Sequence, residues 1–314
     1  MADRPVLALD IGATRLRAAT VDPTGRIIAA ARMSTPRGAG VDAEVLWRTV
    51  LALIERVQLR SSMEFSGIGV GCAGPMRWPV GEVSPLYLEA WRDFPLRKRL
   101  TAEFPRIPIR VHNHGSCVAA GEHWRGAGRA ADNVLGMVVS TGVGGGLVLD
   151  GRLVNGASGN AGHIGHVVVD FSGPACVCGG NGCLEAVASG PRLARWATAQ
   201  GWRTGPGGTA RDLLDDAGRG HPVAQAALQR AGRALGIALA SVTHLCDLEV
   251  VAVGGRLSQA GPLLFKPLEE HFRRHAWLEY AREVRIVPAE LGQEAGLIGA
   301  AALVLGGDQY WAGD

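Results

Sequence analysis

The chain has 314 residues, 47% of them hydrophobic, and a formal charge of +3 in which arginines are scattered among acids; its only lysines are Lys98 and Lys266. That length admits two domains with a sizeable buried core, and so small and dispersed a charge argues against a nucleic-acid partner. No apolar run approaches the roughly 18–20 residues of a membrane span, and the N-terminus lacks the basic and apolar regions of a signal peptide, so a cytoplasmic protein with no membrane partner is expected.

Three β-type runs, VLALDIG, LRAATV and RIIAAAR, open the chain, and Asp22, Pro23 and Gly25 supply turn chemistry for an antiparallel meander. Val45, Leu46, Val50, Leu53, Ile54 and Val57 then recur at helical spacing behind Asp42, a good N-cap. A buried strand GIGVGC, a Pro/Gly/Trp-rich loop from Ala73 to Pro95, the strand IPIRVHN and a helix near 115–126 complete the first cycle. The second cycle has a strand VLGMVVS, a hairpin arm GGLVLDG, an irregular segment from 151, and helices around 184–200 and 221–245. A strand EVVAV, a helix over 261–275, a strand VRIV and a last helix at about 294–305 follow, and GWRTGPGGTA at 201–210 reads as a loop between helices. A meander followed by helices, occurring twice, predicts two α/β domains of related topology with a cleft between them.

Two turns have the chemistry to hold phosphate. Asp10 ends a strand, and Gly12 and Thr14 follow in the turn, where backbone amides and a hydroxyl can approach phosphate while the carboxylate holds Mg²⁺. STGVGGGLV repeats the arrangement with Thr141, Gly142, Gly144, Gly145 and Gly146; glycines so dense imply close backbone approach to a ligand. Gly254 and Gly255 end the strand EVVAV before a helix, a place suited to adenosine. No GxGxxG follows the first strand and no P-loop is present, which argues against a dinucleotide or Walker-type site.

Six cysteines are few for a disulfide scaffold, and Cys176, Cys178 and Cys183 cluster ten residues after His166. One imidazole and three thiolates form a closed tetrahedral set, the mark of structural Zn²⁺. Cys72, Cys117 and Cys246 stand alone in apolar surroundings and read as small buried hydrophobes.

These motifs, together with GVGCAGP, AWRDFPL, VHNHGSCVAAGEHWRGAG, GNAGHIGHVVVD, CVCGGNGCLE, VVAVGGRLS and AGLIGAA, make the chain resemble the ROK family of bacterial sugar kinases and sugar-responsive repressors along nearly its whole length. The resemblance implies an α/β actin-like ATPase (ribonuclease H-like) fold with two lobes around a nucleotide and sugar cleft. The N-terminal lobe would be residues 1–112, to which the last helix returns, and the larger C-terminal lobe 113–293, with a zinc-binding segment at 151–185. It implies ATP and Mg²⁺ at Asp10, Gly12, Thr14, Thr141, Gly142, Gly144, Gly145, Gly254 and Gly255, and a sugar at Asn113, His166 and Glu185, with His166 also a zinc ligand. Family kinases are commonly dimers, so a homodimer is expected. ROK repressors carry a winged helix-turn-helix before the first phosphate turn, and here only nine residues precede Asp10, so a repressor is not expected.

The chain departs from that pattern at the chemistry. Family kinases read Asn-Asp, the Asp being the general base, where this chain has Asn113-His114; Tyr87 stands at a usual sugar-binding Asn, and His163 at a usual Glu. A neutral imidazole at a helix N-terminus can accept a proton, but it is longer than a carboxylate and brings no negative charge. The expected function is ATP-dependent phosphorylation of a hydroxyl of a hexose, amino sugar, cyclitol or sugar phosphate, with His114 as the catalytic residue. The alternative is an impaired homologue that binds sugar or nucleotide as a sensor or partner protein. Alternation along its strand turns His112 away from the position of Asn113.

Overall fold

The computed structural model describes residues 4–38, 40–61, 63–203 and 208–313; positions 204–207 of the expected 201–210 loop lie outside the described residues. Chain contacts divide it into two compact units, residues 1–132 with 146–162 and 290–314, and residues 133–145 with 163–289.

The first unit opens with the meander β1 (Val6–Ile11), β2 (Arg15–Val21) and β3 (Ile27–Ser34), then α1 (Ala43–Ser61), whose first free amides are met by the Asp42 carboxylate at Val45 N, 2.8 Å away. After β4 (Ile68–Cys72), a small hairpin of β5 (Met76–Arg77) and β6 (Glu82–Val83) leads through α2 (Leu96–Glu103) to β7 (Ile109–Asn113) and α3 (His114–Arg125). The sheet order is β3-β2-β1-β4-β7, antiparallel over the meander and parallel from β1 through β4 to β7. β1 and β4 are buried throughout, which suits their apolar composition, interrupted in β1 only by Asp10.

The second five-stranded sheet contains β8 (Val134–Val139), β9 (Val143–Leu149) and β10 (Arg152–Leu153). Helices α4 (Leu184–Ala188), α5 (Gly190–Ala199), α6 (Ala210–Gly218) and α7 (Pro222–Cys246) precede β11 (Val250–Gly254), and α8 (Pro262–His275) and α9 (Glu279–Arg282) precede β12 (Arg285–Pro288). Its order, β10-β9-β8-β11-β12, repeats the first sheet position by position. The helix expected over 184–200 is broken at Ser189, which is extended (ψ 151) ahead of Gly190-Pro191, and the Gly190 amide turns to Ser140 O at 2.8 Å. The sequence reading also missed α6, which Thr209 and Asp212 start as a capping box.

The last helix, α10 (Ala295–Leu305), is apolar almost all round and buried against β1, β4 and α3 in the first unit. A Cβ on Gly299 would stand 1.5 Å from Cys117 O, and one on Gly69 1.8 Å from Ala300 O. These are backbone contacts that no rotamer change relieves. Gly299→Ala is therefore expected to cost about 3 kcal/mol or more, at the top of the overpacking range. Gly218→Ala, with open space around it, is the control; thermal unfolding of the two variants makes the comparison. Among the described residues no helix is long and apolar enough to cross a membrane.

Candidate functional site

In the first unit the parallel strands β1, β4 and β7 end side by side, with Asp10 opposite Gly71 and Cys72 opposite Asn113. Strand carboxyl ends are where open α/β sheets bind ligands. The turn after Asp10 is tight: Gly12 N donates to Arg15 O at 3.0 Å and Thr35 Oγ1 to Gly12 O at 2.8 Å. Asn113 caps α3, its side-chain oxygen accepting from Gly115 N at 3.3 Å, so His114 is the first helical residue. From there its Nδ1 meets Asp10 Oδ1 at 2.6 Å, while the side chain stays 27% exposed and the Asp10 side chain only 4%. The other Asp10 oxygen accepts from Arg17, whose Nε lies 2.8 Å away and which also donates to Gln293 O.

Burial alone would raise the Asp10 carboxyl, but the His114 imidazole and the Arg17 guanidinium outweigh it and hold the group at about 2. The nearest charge to His114 is thus an anion, which the sequence argument from the helix dipole did not anticipate. Tyr87, 45% exposed, lies in the loop after β6, where Trp91 stacks on Phe94 with centroids 4.2 Å apart.

In the second unit Ser140 to Gly142 form the turn between β8 and β9, closed by Ser140 N donating to Gly142 O at 2.9 Å, while Gly144 and Gly145 lie within β9. Glu185, buried in the first turn of α4, accepts from Val143 N through Oε2 at 2.8 Å. His163 and His166 flank a single 3₁₀ turn with their rings edge to face, centroids 4.8 Å apart. That turn packs on the start of β9, for a Cβ on Gly165 would sit 2.0 Å from Val143 O. Gly254 and Gly255 end β11 beside β8, with Gly254 in register with Val138.

The ligand atoms of His166, Cys176, Cys178 and Cys183 all lie within 4.8 Å of one another. Cys178 Sγ and Cys183 Sγ are 3.7 Å apart, and His166 Nδ1 is 3.7 Å from Cys176 Sγ. Sulfurs ~2.3 Å from a tetrahedral Zn²⁺ would be ~3.8 Å apart, whereas a disulfide would bring them to ~2.05 Å. The donor set fits the metal, and His166 would bind through Nδ1, leaving Nε2 for another partner. At Gly182 (φ 68), a Cβ would stand 1.7 Å from Asp170 O, so the knuckle closes only around glycine.

The model of the ROK family matches residues 6–306. The chain belongs to the ROK family. Its two repeated sheets are those of the actin-like ATPase fold of ROK proteins. Among ROK relatives, the glucokinase of Halalkalibacterium halodurans is 33% identical over 97% of this chain and 96% of its own length. The N-acetylmannosamine kinase of Shigella flexneri is 35% identical over 96% of this chain and 98% of its own length. The crystal structure of the Streptomyces griseus ROK glucokinase, in complex with glucose and AMPPNP, superposes with a TM-score of 0.85 at 30% identity, over 95% of this chain and 98% of that one.

The structure adds two residues to the candidate site of this ROK protein. Arg17 lies directly across the hairpin from Asp10, and residues placed symmetrically about a predicted turn could have exposed that pair. Gly296, on the first turn of α10, packs against the His114 ring: a Cβ there would be 3.1 Å from Cε1. Only the tertiary fold brings it in.

His112 corrects the alternation argument in part. Its ring is fully buried, yet its Nδ1 accepts from Asn113 N at 2.8 Å and its Nε2 meets Asn155 Oδ1 at 2.8 Å, so it holds the backbone of the capping residue. Burial pulls its pKa from 6.5 down to about 4 despite the bond to Asn155. Between those values the unfolded chain binds more protons than the folded one, so stability falls as the pH drops through that window, by about 3 kcal/mol in all. His112→Gln is expected to flatten the acid limb of stability between pH 6.5 and 4, measured by urea unfolding at stepped pH.

Proposed function

We propose that the chain is an ATP-dependent kinase acting on a hydroxyl of a hexose, amino sugar, cyclitol or sugar phosphate, with His114 as the general base. The observation that carries this is the His114–Asp10 contact of 2.6 Å at the head of α3. A buried, ionised carboxylate on Nδ1 fixes the tautomer that leaves Nε2 free to accept a proton, and it stabilises the imidazolium that results. His114 thereby gains through Asp10 the negative charge that an imidazole alone lacks.

In this reading Nε2 of His114 takes the hydroxyl proton as the sugar oxygen bonds to the γ-phosphorus of ATP and the bond to the ADP oxygen breaks. Tyr87, Asn113, His163, His166 and Glu185 bind the substrate. Gly12, Thr14, Thr141, Gly142, Gly144 and Gly145 hold the phosphates, and Gly254 and Gly255 the adenosine. Mg²⁺ neutralises phosphate charge, and Asp10 can serve it because Oδ1 keeps one acceptor direction beyond its bond to His114. His166, Cys176, Cys178 and Cys183 would hold a structural Zn²⁺, which would fix the His166 ring for the sugar.

The test is substrate-dependent ADP release with Mg-ATP over hexoses, amino sugars, cyclitols and their phosphates. Turnover on one class, abolished in Glu185→Ala, is the expected result. A chain that binds ATP yet releases no ADP with any of them overturns the kinase reading in favour of a binding protein.

A further inference from the structure

A cavity of about 450 Å³ lies in the second unit, lined by none of the residues named above for nucleotide, sugar or metal. One wall is α7, where Arg230 and Arg233 stand one turn apart and present two guanidinium groups to the same hollow. Ala226 and Ala234 on that face are too small to fill it.

The cavity sets two guanidinium groups against one carboxylate. Glu269 and Glu270 on α8 pair with Arg273 and Arg274 of their own helix, at 3.1 and 3.0 Å. Among the described residues neither Arg230 nor Arg233 pairs with a carboxylate. The one lining carboxylate is Asp170, whose Oδ1 accepts from Ser172 N at 3.1 Å. Arg230 lies over the Trp196 ring, 5.6 Å from its centroid, which holds the guanidinium in place before any ligand arrives. Burial and the neighbouring arginine charges lower the pKa of His271 on α8, so it adds a neutral ring to this wall, and Gln229 adds a neutral donor and acceptor.

We propose that this cavity binds a small phosphate monoester with a hydroxylated body, a sugar phosphate. Two forked guanidinium groups suit a phosphate dianion better than a single negative charge, and Gln229 and Asp170 supply partners for hydroxyls. The anion preference stands on the arginines alone; the choice of a sugar as the body rests on the kinase reading, in which a sugar phosphate is the product. Val187 lines the cavity two residues along α4 from Glu185, so an occupant touches the helix that carries a candidate sugar ligand.

Calorimetric titration of the nucleotide-free protein with glucose 6-phosphate tests this, with glucose and inorganic phosphate titrated separately. The expected result is binding that weakens at least about tenfold in Arg230→Gln/Arg233→Gln, the loss of charge-assisted hydrogen bonds, and persists in Glu185→Ala. Ala226→Met, which fills the cavity and leaves both arginines, is expected to block binding as well, and thermal unfolding checks that each variant is folded. Binding unchanged in the double variant, or lost only in Glu185→Ala, overturns the proposal, as does inorganic phosphate binding equally tightly. A dimer in sedimentation that the double variant dissociates, with no glucose 6-phosphate bound, also overturns it and makes the cavity an interface. Neither nucleotide nor turnover enters the titration, so an inactive kinase with an intact cavity site overturns only the proposed activity.

Discussion

His114→Ala is expected to lower kcat by about 10²–10⁴-fold, the range a general base contributes, with nucleotide affinity nearly unchanged. The separation follows from position: the His114 ring touches Asp10 and packs against Gly296, whereas the β8–β9 turn and Gly254-Gly255, the residues proposed for phosphate and adenosine, belong to the other unit. His114→Asn keeps most of the bulk without a basic nitrogen and should lose as much. His114→Asp is the informative variant, since it would face Asp10 with a second carboxylate across a gap now closed by hydrogen bonding. The shorter carboxylate no longer reaches Asp10 and loses the orientation that the ring has, so the variant is expected to fall below the native rate. Asp10→Asn should be at least as damaging, because it removes the anion that orients the ring and strands Arg17, whose side chain is only 24% exposed. Steady-state ADP release beside nucleotide titration checks all four. A His114→Ala variant within about threefold of native kcat would remove the base assignment. Because Asp10 is held at about 2, its carboxylate stays ionised at any pH where the assay runs, so protonation of Asp10 cannot produce an acid limb.

How much of this was legible in the sequence depended on the range of the interaction. The two meanders were, because alternating and fully apolar strand runs are local signals; so was the Cys and His spacing, because metal geometry restricts which residues can close a tetrahedron. Asn113 and His114 were placed at a helix start, which the capping bond to Gly115 N bears out. What local pattern could not supply were the tertiary partners. His114 was weighed against a helix dipole, yet the group within 2.6 Å lies 104 residues away in sequence. His112 was dismissed by alternation, which describes where a side chain points and not that its ring nitrogen can fold back to the next amide. α6 was overlooked although Thr209 and Asp212 carry its start signal, since its nine residues give little periodicity to detect. The break at Ser189 needed the carbonyl of Ser140, which belongs to another strand end.

Cys183→Ser is expected to have the largest effect on stability of any single change in the second unit. Metal content should fall from about one Zn²⁺ per chain to nearly none, because three donors no longer close the tetrahedron. Apparent binding energies at structural zinc sites run to on the order of 10 kcal/mol, comparable with the net stability of a whole domain. Little else holds this stretch: Phe171 is 98% exposed, and Val168 and Val177 are 47% and 43% exposed, and the small buried cluster at the knuckle is Cys176, Cys183 and Ala186, two of them the ligands themselves. Its backbone is pinned instead by Val169 N to Gly182 O at 2.9 Å and Leu184 N to Val167 O at 2.8 Å, bonds that span the metal ligands. When those loosen, Glu185 and His166 lose their setting together, so sugar affinity should collapse, and nucleotide affinity should fall as well because Glu185 also holds Val143 N beside the β8–β9 turn. A drop in melting temperature of roughly 10 °C is expected for a loss of several kcal/mol in a unit of this size. Strong chelation of the native protein should reproduce the effect, and a thiol reductant should not, since Cys178 and Cys183 are 3.7 Å apart and unbonded. Elemental analysis with calorimetry of the native and Cys183→Ser proteins decides it: full metal content and an unchanged melting temperature in the variant would mean that this cluster holds no structural metal.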